Sequence, residues 1–460
     1  MRLVEKIQIE KLVATLIIIF GLIMSFLVPT WQTPDEFTHI WMIGDSLRIE
    51  DFDKKIEESI RLDRKRIEFN YDEKININDQ IASLTAKPTY SREEMLPQGI
   101  SITFIKHFPA TLGILLGILI GMPTYWVLQL GELFALLFYA IVCYYSLRIM
   151  PLKKELLAGI MLFPMAIQQA ASLNYDAVLI PLCFFFVTYI FHLRYSNDKI
   201  GLKQIVIALC LGGIIAYIKL PYILLFFLIF IIPLEKIEIY IGNKIIGGKL
   251  LKKIRIPVLV LAGIIALLVA YLMRHNAWIQ IVYGFIIEWK RGLYLFAETG
   301  KTWGDFLVIS TVGNFGWLDT PMLLGIAISV IVFLIVMSLI KSNDQREYYL
   351  RKWDIFIIII TIIAMTVFTT LSLVDHTIKV TLFGSEATSN TYSIREAMYQ
   401  IPYIGGLQGR YYVPFVCLFF LPYPQVIYLK KEIANALFIV LEIILYIYVV
   451  WMLLNRYWIL

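Results

Sequence analysis

The chain has 460 residues, 59% of them hydrophobic and 17% charged, with a mean hydropathy of +0.74. That composition excludes a soluble globular domain and predicts an all-α polytopic membrane protein, because apolar runs near the ~20 residues that cross a bilayer recur along its length. The formal net charge of +6 carries no nucleic-acid signal, since the basic residues lie in short loops between apolar runs, the bias of cytoplasmic loops.

Arg2, Lys6 and Lys11 precede the first run, Leu12 to Val28, and set the N-terminal side in the cytoplasm. The run lacks a small-residue cleavage site and meets Pro29, so it reads as a retained span. The polar stretch from Val28 to His39 then has the grammar of a helix start. Thr33 is placed to cap, Pro34 fits the first helical position, and Glu36 has the capping-box spacing. Asp35 and His39 are four apart on one face, with Asp35 in a first turn where the helix dipole favours an ionised carboxylate. Capping alone accounts for Thr-Pro-Asp-Glu and is the plain role of Glu36. It requires neither Asp35 nor His39, which together form a candidate proton-accepting or metal-binding pair.

Residues 31–120 are expected to form the first extracytoplasmic loop with juxtamembrane helices. Between 31 and 100 it carries 10 Lys/Arg against 15 Asp/Glu, and it is too long for the positive-inside bias to constrain it. Lys54 to Phe69 predicts a surface helix with a thin apolar stripe (Ile56, Ile60, Ile67), hence a solvated face. Ala110 to Ile120 decides the topology. Were it to cross, every later basic loop would lie outside. Were it to lie in the outer leaflet, Arg148 to Lys154, Arg194 to Lys203, Lys236 to Arg255, Lys341 to Lys352 and Lys430-Lys431 would all be cytoplasmic. The second arrangement is the expected one. The remaining spans are then 124–148, 155–172, 177–194, 203–219, 221–234, 256–273, 321–340, 354–374, 411–429 and 433–454, giving about 11 crossings with the first. The pieces 203–219 and 221–234 are short and meet at Lys219-Leu-Pro221. Cys143, Cys183, Cys210 and Cys417 fall inside apolar runs and form neither a disulfide framework nor a zinc spacing.

This topology gathers unusual polar residues on the outer side: Asn174-Tyr175-Asp176 at a span end, Lys219, Trp317-Leu318-Asp319-Thr320 and Gln408-Gly409-Arg410-Tyr411. Ionisable groups at membrane depth are costly and mark candidate sites. Plainer readings stand beside each. Lys219 and Arg410 can snorkel to the interface, Asp319 can cap a helix starting near Pro321, and Asp176 can cap its own span. Glu132 and Glu442 lie inside spans and are assigned no role. His107, His192, His275 and His376 are isolated in sequence and are not expected to act as ligands. Sugar transfer from a lipid-linked phosphate uses a set of this kind. A carboxylate takes the proton of the attacking hydroxyl, and Arg or Lys stabilises the departing phosphate. A long outer loop shields the donor from water.

Pro34-Asp35-Glu36-x-x-His39, Pro164 to Asp176 (PMAIQQAASLNYD), Lys219-Leu-Pro-Tyr222, Gly316-Trp-Leu-Asp-Thr320 and Gly405 to Pro414 (GGLQGRYYVP) together resemble, in order and spacing, the bacterial membrane family called domain of unknown function 2142. That family is grouped with the glycosyltransferase C (GT-C) fold. The resemblance implies one GT-C-like transmembrane domain over 1–460 and inverting transfer of a sugar from a polyprenyl-phosphate donor to a cell-surface glycan or lipid-linked acceptor, outside a bacterial plasma membrane. Asp35 is then the catalytic carboxylate, with Glu36 or His39 beside it and Asp176 as a second acid. Arg410 and Lys219 would hold the donor phosphate. Asn174, Tyr175, Trp317, Asp319, Gln408 and Tyr411 are candidate substrate contacts. The family pattern leaves a divalent cation (Mg or Mn) open, since no Asp-x-Asp pair stands near the motif. No nucleic-acid partner is expected. The alternatives are a transporter or flippase of lipid-linked saccharides, which predicts charges lining several spans rather than one outer surface, and a polymerase or ligase of them, whose large outer loop typically sits later in the chain.

Overall fold

A computed structural model describes residues 8–459 apart from 61–72, 76, 242–243, scattered positions from 249 to 270, 343–348 and 385–392. The chain is mostly helical. In order come α1 (Ile9–Leu27), α2 (Glu36–Ser46), α3 (Phe52–Ser59), α4 (Ile77–Thr85), α5 (Phe108–Leu119), α6 (Thr124–Ile149), α7 (Lys154–Met161), α8 (Pro164–Ala170), α9 (Asp176–Tyr195) and α10 (Leu202–Ile218). A 3-10 helix, Leu220–Ile231, follows. Then come α11 (Ala277–Ile287), α12 (Trp289–Val312), α13 (Leu324–Leu339), α14 (Lys352–Leu371), α15 (Val374–Phe383), α16 (Ile394–Gln400) and α17 (Lys431–Tyr457). Three two-stranded pairings connect β1 (Glu238–Ile241) with β2 (Lys244–Gly247), β3 (Asn314–Phe315) with β4 (Thr320–Pro321), and β5 (Ile340–Ser342) with β6 (Ile427–Leu429).

Five described helices are long and apolar enough to cross a membrane: Ile9–Leu27, Thr124–Ile149, Asp176–Tyr195, Lys352–Leu382 and Glu432–Tyr457. The other expected spans take different forms. The 155–172 run breaks before Pro164 into α7 and α8, because Pro cannot continue a helix that needs its N–H. The 411–429 run becomes 3-10 turns and a single helical turn at Cys417–Phe420, interrupted by Pro414, Pro422 and Pro424. The break expected at Lys219-Leu-Pro221 is present between α10 and the 3-10 helix. Most of 256–273 lies outside the described residues.

Contacts divide the chain into two compact units, 1–189 with 309–349 and 413–460, and 190–308 with 350–412. In the first unit Ser25, in the last turns of α1, donates to Glu132 Oε2 at 2.6 Å and lies 2.8 Å from Gln129 Oε1 near the start of α6. The end of α1 and the start of α6 therefore lie together, and the 28–123 segment leaves and returns at one place. With 12 residues α5 is only ~18 Å long, against the ~30 Å of a bilayer core. It folds back along α6, with Gly113 against the Leu130 carbonyl and Gly117 against Val127.

The first loop is packed down rather than solvated. Trp31, Ile40, Ile43, Leu47, Phe52, Ile56 and Ile60 share a core with Ile114, Val127 and Leu128. Ile56 and Ile60 are buried, so α3 presents a core face, contrary to the expected solvated one; 61–69 lies outside the described residues. Each such side chain contributes on the order of 2 kcal/mol. The loop is also strapped to the end of α17. Ile75 N–H donates to Tyr457 O (2.9 Å), Lys74 Nζ to Asn455 O (2.7 Å) and Arg456 Nη1 to Glu73 O (3.0 Å). Buried Lys153 caps the single turn at 417–420, donating to the carbonyls of Phe420, Leu421 and Tyr423. Burial lowers its pKa to about 8.

In the second unit α11, α12, α15 and α16 close over a core that includes Ile281, Leu295, Val374, Ile378, Met398 and Ile401. Arg194 Nη2 and Asp354 Oδ2 form a buried ion pair at 3.1 Å. Asp354 also accepts the Arg351 N–H at 3.0 Å at the start of α14.

Candidate functional site

Pro29 ends α1, and the chain turns sharply through Trp31, which takes a left-handed φ of 74°. The Glu36 carboxylate reaches back into this turn. Its Oε2 accepts the N–H of Trp31 at 2.8 Å and of Thr33 at 3.4 Å. Glu36 is 1% exposed, and burial raises its pKa to about 7 against the opposing pull of the Thr33 and Trp31 amides. The turn delays the helix. It was expected to run from Pro34 but starts at Glu36, leaving Asp35 as the flanking residue at φ 65°, with no side-chain cap bond. A short acidic residue tolerates that conformation. Of the three motif residues, Asp35 is exposed while Glu36 and His39 are buried.

His39 Nδ1 lies 3.0 Å from Nε2 of His107, so one ring N–H donates to the other ring's nitrogen. His107 is therefore not isolated, as its sequence position had implied. It is 2% exposed just before α5, and burial, then the charge of Lys106, lowers its pKa to about 3. Tyr175 packs edge-on against His39 with centroids 4.8 Å apart, and its ring is 5.9 Å from His107. The neighbouring turn is built by Asn174, whose Oδ1 accepts the Asp176 N–H (3.0 Å) and whose Nδ2 donates to Gln169 Oε1 (3.2 Å). Asp176 is buried at the first position of α9.

The Gly316–Thr320 segment meets the same region, with Trp317 Nε1 donating to Trp31 O at 2.8 Å. Asp319 is not the cap of a helix near Pro321. Helix α13 starts only at Leu324, and Asp319 Oδ2 instead binds Arg456 Nη2 (2.8 Å) and Nε (3.3 Å). Gly316 and Leu318 adopt left-handed φ values of 61° and 62°. Leu318 and Trp31, both large residues in that region, concentrate backbone strain in two touching loops, a pattern found where function over-determines conformation.

The second unit holds the cationic residues. Lys219 caps α10, and its Nζ stands 3.7 Å from the Tyr411 ring centroid. Arg410, buried in a 3-10 turn, has Cζ 5.5 Å from the same ring. Tyr222 Oη donates to Tyr411 O at 2.7 Å, fixing that turn, and Gln408 immediately precedes it. Two cations 191 positions apart (410 − 219) thus stand at one aromatic ring. The second unit brings together Lys219, Tyr222, Arg410 and Tyr411; the first brings together Glu36, His39, His107, Tyr175 and the Trp31–Trp317 loops. Among the described residues no group of three or more His, Cys, Asp or Glu side chains converges as a metal centre.

The fold is that of an all-α membrane protein with several candidate spanning helices. Residues 18–419 match the family described as predicted membrane protein DUF2142, and the chain belongs to it. No curated protein and no solved structure matches the chain.

Proposed function

We propose that the protein is an inverting membrane glycosyltransferase of the GT-C type, with about eleven crossings. It would move a sugar from a polyprenyl-phosphate donor to a cell-surface glycan or lipid-linked acceptor on the extracytoplasmic side of a bacterial plasma membrane. The observation that carries this reading is that Lys219 and Arg410 both stand at the Tyr411 ring, two cations of the kind that hold a phosphate, in a chain that also presents an exposed carboxylate at Asp35.

In the proposed reaction Asp35 accepts the proton of the acceptor hydroxyl as that oxygen bonds to the anomeric carbon. The bond from that carbon to the phosphate oxygen breaks, and the electron pair leaves with polyprenyl phosphate. A single displacement of this kind inverts the anomeric centre. Arg410 grips phosphate oxygens bidentately, and Lys219 adds a point charge against the growing negative charge. Glu36 braces the Trp31–Thr33 turn that presents Asp35, and His39 is held by His107 and Tyr175 beside it. Asp176 stands as a second acid at the foot of that cluster. A divalent cation, Mg or Mn, is a candidate co-reactant, and no step here is routed through it.

Purified wild type and Asp35→Asn, reconstituted with a panel of polyprenyl-phosphate sugars and glycan acceptors, test the reading. Loss of ~10²–10⁴-fold in transfer with intact folding is expected for removal of a general base. Equal activity would remove Asp35 from the mechanism.

A further inference from the structure

Three segments of the first unit bury polar side chains that the protein itself leaves unanswered. Thr30 Oγ1, Trp31 Nε1, both amide atoms of Gln32, both amide atoms of Gln168 and Asn314 Oδ1 have no hydrogen-bond partner among the described residues. All five residues are at most 4% exposed. Buried polar groups are nearly always paired, so an unpaired one calls for an explanation, and five in adjoining elements call for a common one.

The elements do adjoin. Helix α8, which carries Gln168, packs against β3, which begins at Asn314, and against α1, which leads into Thr30. The Trp31 carbonyl is bound by Trp317, three residues beyond Asn314. Asn314 Nδ2 is committed to the Leu318 carbonyl at 2.9 Å, which leaves its oxygen as the available atom. The left-handed backbones of Trp31 and Leu318 lie in these same loops. A fold minimising its own energy would relax that strain and place Leu or Met at Gln32 and Gln168. Retaining both the strain and the orphaned amides is the signature of a site shaped for something else.

The chemistry of the set selects the ligand. The groups are neutral and mix donors with acceptors: an indole N–H, a hydroxyl, two complete amides and a carbonyl oxygen. Phosphate offers acceptors alone and would leave the carbonyl oxygens unanswered. A cation would be repelled by the indole and amide N–H groups. A sugar ring, whose hydroxyls each donate and accept, answers every one. We infer that Thr30, Trp31, Gln32, Gln168 and Asn314 form a buried sugar-ring recognition subsite beside the Asp35 loop. This inference rests on the transferase reading and names the residues that choose the sugar. The ring can belong to the lipid-linked donor or to the acceptor glycan.

The test uses full-length protein in nanodiscs, as wild type, Gln32→Met, Gln168→Met and Thr30→Val. Affinity is measured for a short-chain polyprenyl phosphate with and without an attached hexose, and saturation-transfer NMR is recorded with methyl glycosides. Wild type is expected to bind one glycosylated lipid at least tenfold tighter than the bare phosphate if the ring is the donor's. If the ring is the acceptor's, a methyl glycoside gives the transfer signal instead. The Met and Val variants are expected to lose that preference or signal while keeping affinity for the bare phosphate, with Tm unchanged or raised. Variants that keep the wild-type preference and lose Tm would show that the groups hold ordered water only, overturning the inference while leaving the transferase reading intact. Wild type that binds neither the lipids nor any glycoside would overturn both.

Discussion

Replacing Glu36 by Gln keeps an oxygen to accept the Trp31 and Thr33 amides but removes the ionisable group. The carboxyl is fully buried, and burial moves its pKa from the ordinary 4.5 to about 7. Because the native value lies above the unfolded one, the folded protein holds a proton that the unfolded chain releases. Stability from this group is fully present below pH ~4.5, falls as pH rises to ~7, and is flat above. The move corresponds to about 3 kcal/mol, and for a chain of this size to roughly 3 °C in Tm. Glu36→Gln should therefore match wild type at pH 4.5 and gain on it by roughly that interval at pH 8. Thermal unfolding of both proteins in one detergent at the two pH values measures it. A difference that does not grow with pH, or that turns against the Gln variant at pH 8, would mean that the native carboxylate is ionised and held by a cation, refuting the burial argument.

Gly316→Ala should be disruptive, since φ is 61° and the added methyl would overlap Tyr457 Oη and lie 2.6 Å from Asp319 Oδ1. A loss above ~2 kcal/mol is expected, read as a lowered Tm. Arg456→Met strands the Asp319 carboxylate and should cost ~3–5 kcal/mol, whereas the double variant with Asp319→Asn should recover most of it. Lys219→Met should leave folding intact and lower kcat for donor turnover by ~10²–10³-fold, as removal of one preorganised charge does. An unchanged kcat would return Lys219 to an interfacial role.

The family and the membrane class were legible because they rest on long apolar runs and on five short motifs whose order survives without any coordinates. The charge bias across many loops asks that 28–123 return to its starting side, and the Ser25 contacts with Gln129 and Glu132 bring the two ends of that segment together. What stayed hidden depended on tertiary contact. His107 has no local pattern, and only the fold of α5 against α6 brings it to His39. Asp319 reads as a cap because its partner, Arg456, is 137 positions away. The Trp31–Thr33 turn was hidden for a related reason. A Thr-Pro-Asp-Glu helix start and a turn braced by Glu36 use the same residues, and burial of the carboxylate selects the second. Breaks such as those at Pro164 and Pro422 could have been foreseen, since Pro inside an apolar run interrupts it at the preceding residue.

Turnover by purified, reconstituted wild-type protein of a panel of polyprenyl-phosphate sugars with glycan acceptors, with the new linkage read by NMR, decides whether the protein is an inverting transferase. One donor should be consumed and polyprenyl phosphate released, with the product linkage in the opposite anomeric configuration. Retained configuration would contradict the single displacement assigned to Asp35. Movement of lipid-linked saccharide across the bilayer with no donor consumed would contradict the transferase itself.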